Sequence, residues 1–136
     1  MAEGARTLDS FPIHLGLGAT AEAQPEFPAD ERAMDWYMAY GERHAADGAE
    51  GRLVSCFRFA EDWTSWEMHP SGDEVVVCLE GAMTLIQDLA GEHVRTALGP
   101  GEYAINKAGT WHTADVAAAA TALFITSGLG TEHRPR

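Results

Sequence analysis

The chain has 136 residues, 46% of them hydrophobic, with 14 glycines and 6 prolines, the size and makeup of one turn-rich globular domain with its own core. Nine basic residues stand against 21 acidic ones, giving a formal charge of -12, which repels phosphate backbones and anionic lipid headgroups and argues against nucleic acid and membrane surfaces as partners. No apolar run approaches the ~20 residues of a membrane span, and Glu3 and Asp9 interrupt the N-terminal stretch, so neither a membrane anchor nor a secretory signal is expected and a reducing cytoplasm is the expected location.

In chain order, residues 1–10 read as a mobile terminus. Phe11 to Leu17 (FPIHLGL) reads as an edge strand, because Pro12 suits an edge or a strand start, and such an arm could pair with a neighbouring subunit. Pro25 and Pro28 punctuate a loop. Beyond Asp30, a plausible helix N-cap, Met34, Tyr37 and Met38 recur at helical spacing with Trp36 and Tyr40 four apart, which predicts a short helix over 31–40 extending toward Ala46 and packed on a sheet.

From Arg52 the pattern changes to strands, predicted near 52–59, 65–69, 73–80, 82–88, 93–98, 102–106, 111–116 and 121–126. Turn residues separate several of them at Pro70 to Gly72, Gly81, Asp88 to Gly91 and Gly99 to Gly101. About eight short strands with no helix between them predict an antiparallel sandwich or barrel. Residues 1–50 then form an arm and short helical segment packing on the barrel of residues 51–136, and the final SGLGTEHRPR reads as a loop or tail. Cys56 and Cys78 lie in apolar surroundings without CxxC spacing and read as two buried thiols.

The stretch WEMHPSGDEVVVCLEG, Trp66 to Gly81, concentrates the chemistry. Side chains alternate along a strand, so Glu67 and His69 point to one side. Glu74, five residues beyond His69, would point the other way, but the Pro70–Ser71–Gly72 turn resets the parity. Glu74 and Val76 then share one face while Val75, Val77 and Leu79 share the other. A fourth potential ligand, His112, follows a Gly-containing turn and is predicted to face inward, with Trp111 on the opposite face. Of the remaining histidines, His44 reads as a solvated helix end, His93 as part of a surface hairpin and His133 as tail, while His14 stays ambiguous. Trp63, Trp66 and Trp111 read as packing residues that could also wall a pocket.

These two stretches resemble the cupin motifs. The first, G(X)5HXH(X)3-4E(X)6G, lies over Glu61 to Gly81, and the second, G(X)5PXG(X)2H(X)3N, over Gly101 to Val116. His69, Glu74, Gly81, Gly101, Gly109 and His112 match, and Glu67 stands where the first histidine is expected. Glu61, Lys107 and Val116 replace the motif's glycine, proline and asparagine.

The resemblance implies an all-β double-stranded β-helix, or jelly roll, with a divalent metal inside the barrel. The matched ligand set is Glu67, His69, Glu74 and His112. Two imidazoles and one carboxylate are enough for a facial site with open positions. Glu67 is then either the fourth ligand, which shifts the preference toward harder ions, or an acid/base beside the metal. Iron, manganese, zinc and nickel all remain possible.

The leading expectation is a metal-binding cupin that binds, and could transform, a small organic molecule by dioxygenase, isomerase or lyase chemistry. A non-catalytic ligand- or metal-sensing module and a metal-free structural cupin are the alternatives. Homodimerisation is a further expectation from the resemblance.

Overall fold

The computed structural model describes residues 4–136. Residues 1–3, part of the expected mobile terminus, lie outside the described residues. The strands β1 (Ile13–Gly16), β2 (Thr20–Ala23), β3 (Arg52–Phe59), β4 (Ser65–Met68), β5 (Glu74–Gly81), β6 (Met83–Leu89), β7 (Glu92–Leu98), β8 (Tyr103–Asn106), β9 (His112–Asp115), β10 (Ala120–Thr126) and β11 (Glu132–Pro135) are joined by one helix, α1 (Ala33–Arg43), and a 3-10 segment, Ala45–Glu50.

Two antiparallel sheets face each other as a jelly roll. One has the order β2-β1-β3-β10-β5-β8 and the other β11-β4-β9-β6-β7. Side-chain alternation sends one face of each strand inward. The core between the sheets is built from Val76, Cys78, Met83, Leu85, Leu98, Ala114, Val116, Ala120, Ala122 and Phe124. Cys56 and Cys78 are both buried, free thiols.

The eight strands expected between residues 52 and 126 are present within two residues of their predicted bounds. Gly81 closes β5 with φ 73°, and a Cβ there would stand 2.0 Å from the Ala119 carbonyl oxygen, so only glycine lets the two connections cross.

The ends of the chain depart from expectation. β1 is no edge: it pairs with β2 on one side and β3 on the other, all within this chain. Left-handed backbone at Gly18 and Ala19, φ 76° and 59°, turns the chain back, so β2 becomes the edge and no free arm remains. The expected C-terminal tail contains β11, paired with β4 through Glu132↔Met68, His133↔Glu67, Arg134↔Trp66 and Pro135↔Ser65. No alternating apolar pattern marks EHRP, because all four of its residues stay exposed.

In α1 the buried side chain is Trp36, whereas Met34 and Met38 are each 61% exposed. The indole wins the packing face. Trp36 donates Nε1–H to the Pro25 carbonyl and lies within 5.7 Å of both the Phe27 and Tyr40 rings. Asp30 sits two positions early as a cap: its Oδ1 accepts the N–H of Arg32, which itself occupies the N-cap position.

Candidate functional site

The barrel's polar end is organised around Glu74. It opens β5 facing inward, ahead of Val76 and Cys78, in the burial order the turn at Pro70–Gly72 predicts, and is only 3% exposed. A buried carboxylate needs partners. Asn106 donates Nδ2–H to Oε1 at 3.1 Å, Thr126 donates its hydroxyl to Oε2 at 2.6 Å, and Gln87 in turn donates to Asn106 Oδ1 at 2.8 Å. Neighbouring strands of both sheets therefore hold this one side chain.

His69, just past β4, and His112, which opens β9, converge on the same carboxylate and are buried. His69 Nε2 stands 3.1 Å from Glu74 Oε2, and His112 Nε2 stands 3.2 Å from Glu74 Oε1. The far nitrogen of each ring is committed elsewhere. His112 Nδ1 donates to the Thr110 carbonyl at 3.1 Å. His69 Nδ1 lies 2.8 Å from Thr131 Oγ1, whose own proton goes to the Gly128 carbonyl, so the imidazole is the donor. With Nδ1 protonated, a neutral ring presents its lone pair at Nε2.

Those lone pairs meet no donor. Both Nε2 atoms are buried without a hydrogen-bond partner, so the short contacts to Glu74 are out of line for N–H···O bonds. The pKa of Glu74 carries the same tension. Burial pushes it up, but His112 and then His69 outweigh burial and hold it well below the usual carboxylate range. For His112, burial pushes down and Glu74 outweighs it, with help from the Thr110 carbonyl and Glu67, so its pKa rises.

Bare imidazole nitrogens facing a carboxylate are the donor set that a divalent cation satisfies. Ligands ~2.1 Å from one ion stand about 3.0 to 3.4 Å apart at octahedral or tetrahedral angles. The His69–Glu74 and His112–Glu74 separations fall in that interval. These residues fit a metal.

Glu67 is placed differently. With His69 and His112 it offers one atom of a group within 4.8 Å of one another, but its Oε2 is 3.9 Å from each Nε2, beyond the spacing of adjacent ligands. Its Oε1 lies 3.3 Å from His133 Nε2. The structure thus brings all four expected residues to one end of the barrel, with Glu74 at the centre and Glu67 at the rim.

Sequence reasoning missed several neighbours. His133, read as tail, reaches the site because β11 sets it opposite Glu67. Asn106, Thr126 and Thr131 carry no motif, and only the inward parity of their strands could have marked the first two. Tyr37 lies on α1 beside Phe27. The residue is 39% exposed, and burial first, then the fields of Glu67 and Glu74, raise its pKa.

The family model described as "Cupin domain" matches residues 57–128. This chain belongs to the cupin family. Three solved structures illustrate the likeness of this cupin to known folds. Oxalate oxidase in complex with glycolate aligns with TM-score 0.53 and 13% identity over 60% of this chain and 45% of that one. A cupin superfamily protein from Desulfitobacterium hafniense aligns with TM-score 0.48 and 21% identity over 55% of this chain and 65% of that one. A protein from Neisseria meningitidis aligns with TM-score 0.47 and 18% identity over 54% of this chain and 71% of that one. This cupin therefore spans less than half of the oxalate oxidase chain. No curated protein sequence matches it. No helix among the described residues is long and apolar enough to cross a membrane.

A second cluster, His14, His44 and Asp47, also gathers potential ligands, but its atoms are already spent. His14 bonds Tyr40 OH through Nδ1 and Asp47 Oδ2 through Nε2, each at 2.6 Å, and the His14 and His44 rings stack 3.7 Å apart. Parallel rings cannot aim two lone pairs at one ion. This cluster resolves the ambiguity of His14 as an anchor that ties β1 to α1 and the 3-10 segment. It also corrects the reading of His44 as solvated, since its side chain is only 11% exposed.

Two surface depressions lie elsewhere. One of about 220 Å³ adjoins Met83, Leu98 and Asp115, and one of about 570 Å³ adjoins Arg6, Gln24 and Arg43; neither includes His69 or His112.

Proposed function

We propose that this cupin holds a divalent metal through His69, Glu74 and His112, and binds and transforms a small organic molecule at the open side of that site. The observation that carries the reading is the pair of buried Nε2 atoms, unpartnered and aimed at one buried carboxylate. When bound, the metal supplies a Lewis-acidic centre that polarises ligand oxygens.

The chain's own residues do the rest. Thr131 and the Thr110 carbonyl hold the imidazole tautomers, and Asn106 and Thr126 orient Glu74. Glu67, 31% exposed at the rim and 3.3 Å from His133 Nε2, would accept or return a proton from a molecule lying over the metal.

Metal analysis of protein purified without chelator tests the reading, set against a His69→Ala, His112→Ala double variant. The wild type should carry close to one divalent ion per chain and the variant none. Equal trace metal in both would remove the site.

A further inference from the structure

Aromatic rings form one continuous row from Tyr37 of α1 to His112. Phe57 and Phe59 face inward on β3, Phe124 faces inward on β10, and Trp63 follows in the connection to β4. The centroid separations are 6.1 Å for Phe57–Phe124, 6.1 Å for Phe59–Phe124, 5.3 Å for Phe59–Trp63 and 6.0 Å for Phe124–Trp63. Trp63 meets the His112 ring edge-on at 6.4 Å. At the other end Phe57 meets Phe27 at 5.3 Å, and Phe27 meets Tyr37 of α1 at 5.4 Å.

Two observations separate this wall from ordinary core. Val76, Cys78, Leu85 and Ala122, on the same inner surface, are 0% exposed, whereas Phe57, Phe59 and Trp63 are only partly buried. Part of each of these three rings is therefore open to solvent. In addition, the Trp63 indole N–H is buried and donates to nothing. Buried donors are almost always paired, so an orphan beside the candidate metal site marks the place of a ligand acceptor. The side chains that touch His69, Glu74 and Glu67 through polar atoms include Thr131, Asn106, Thr126 and His133, and among the described residues no Lys or Arg forms a hydrogen bond or ion pair with these residues or with His112.

We infer that the substrate is a hydroxylated aromatic ring. The ring lies against Phe57, Phe59 and Phe124, an acceptor oxygen accepts a hydrogen bond from Trp63 Nε1–H, and hydroxyl oxygens turn toward His69, Glu74 and His112. Trp63 is thereby a specificity-determining residue. The orientation of the hydroxyls rests on the metal reading proposed above; the ring wall and the indole donor do not.

The test uses zinc-loaded full-length protein, which binds without redox turnover, titrated calorimetrically with 4-nitrocatechol and with oxalate, a chelator that has no ring. Wild type should bind 4-nitrocatechol at least about tenfold more tightly than oxalate. Trp63→Phe keeps the ring and removes the donor, so it should weaken 4-nitrocatechol about tenfold, the worth of one hydrogen bond, with zinc content and oxalate affinity unchanged. Phe59→Leu, which removes a wall ring but no polar atom, should also weaken the aromatic ligand alone. Equal affinity for the two ligands, or a Trp63→Phe titration that overlays wild type, overturns the inference. If wild type and the His69→Ala, His112→Ala variant carry the same zinc, it is the metal reading that has failed. 4-Nitrophenol, which needs no metal, then decides the ring site: binding weakened about tenfold in Trp63→Phe sustains it, and absence of binding by wild type overturns it.

Discussion

His133 Nε2 stands 3.3 Å from Glu67 Oε1, across the register pair that joins β11 to β4. The other oxygen of Glu67 is 3.9 Å from each site imidazole, so the C-terminal strand competes with the candidate metal site for this carboxylate. An exposed pair of this kind contributes little energy. It matters here because it fixes which way the carboxylate faces. Glu67→Gln should accordingly leave metal affinity within about threefold of wild type, measured by calorimetric titration of chelator-treated protein. A loss of tenfold or more would make Glu67 a ligand and remove it as an acid/base.

Thr131 makes the opposite prediction. It accepts the His69 Nδ1 proton while passing its own to the Gly128 carbonyl, and so sets both the tautomer and the angle of a buried ring. Thr131→Val keeps the volume and removes the acceptor. Losses of outer partners of metal-binding histidines typically weaken metal affinity by about 10- to 100-fold, and that is the range expected in the same titration, with circular dichroism unchanged. Affinity equal to wild type would show that the loop carrying Thr131 is only a neighbour.

These two residues show what the sequence could and could not disclose. Strand alternation and one turn were enough to place Glu74 inward with Val76, because period and parity are local properties. The helix face was harder, since Met34, Tyr37, Met38, Trp36 and Tyr40 form two overlapping apolar stripes and only the Pro25 carbonyl and the Phe27 ring decide that Trp36 is buried. His133 and Thr131 lay beyond reach. β11 is exposed at every position, so its pairing leaves no hydrophobic period, and a threonine that orients a histidine 62 positions away has no local signature.

Asn106 and Thr126 hold Glu74 independently of any metal. Asn106→Leu removes one donor from a carboxylate that is 3% exposed and takes one of two acceptors from the Gln87 amide, which keeps the Ile105 carbonyl. An unsatisfied buried group of this kind costs about 1–3 kcal/mol, which should appear as a lower urea midpoint at constant slope. Thr126→Val should behave similarly. If neither variant shifts the midpoint, water already serves Glu74 and the site is wetter than its burial indicates.

Removing metal should destabilise the fold as well as empty the site. Ligand present at a hundredfold over its dissociation constant stabilises the native state by about 2.7 kcal/mol. Chelator should therefore lower Tm for wild type and leave the His69→Ala, His112→Ala variant unmoved. A chelator shift shared by both proteins would place the responsible metal outside the His69–Glu74–His112 site.

The last prediction concerns pH and the N-terminal anchor. His44 stacks on His14 at 3.7 Å, donates its Nε2–H to Gln24 Oε1 at 3.0 Å and lies 3.9 Å from Glu22. Its pKa is lowered from 6.5, first by burial, then by His14 and by Arg43, while Glu22 and Asp47 oppose. The folded state thus binds this proton less tightly than the unfolded chain. Its contribution to stability is full above about 6.5 and is lost as pH falls from there toward the folded value. Between pH about 7.5 and about 5.5 the Tm of wild type should fall further than that of His44→Gln, in which every other titrating group is unchanged. Hydrogen exchange should show the excess opening confined to β1, β2 and α1. Parallel Tm curves for the two proteins would show that the stacked pair accepts its proton without cost.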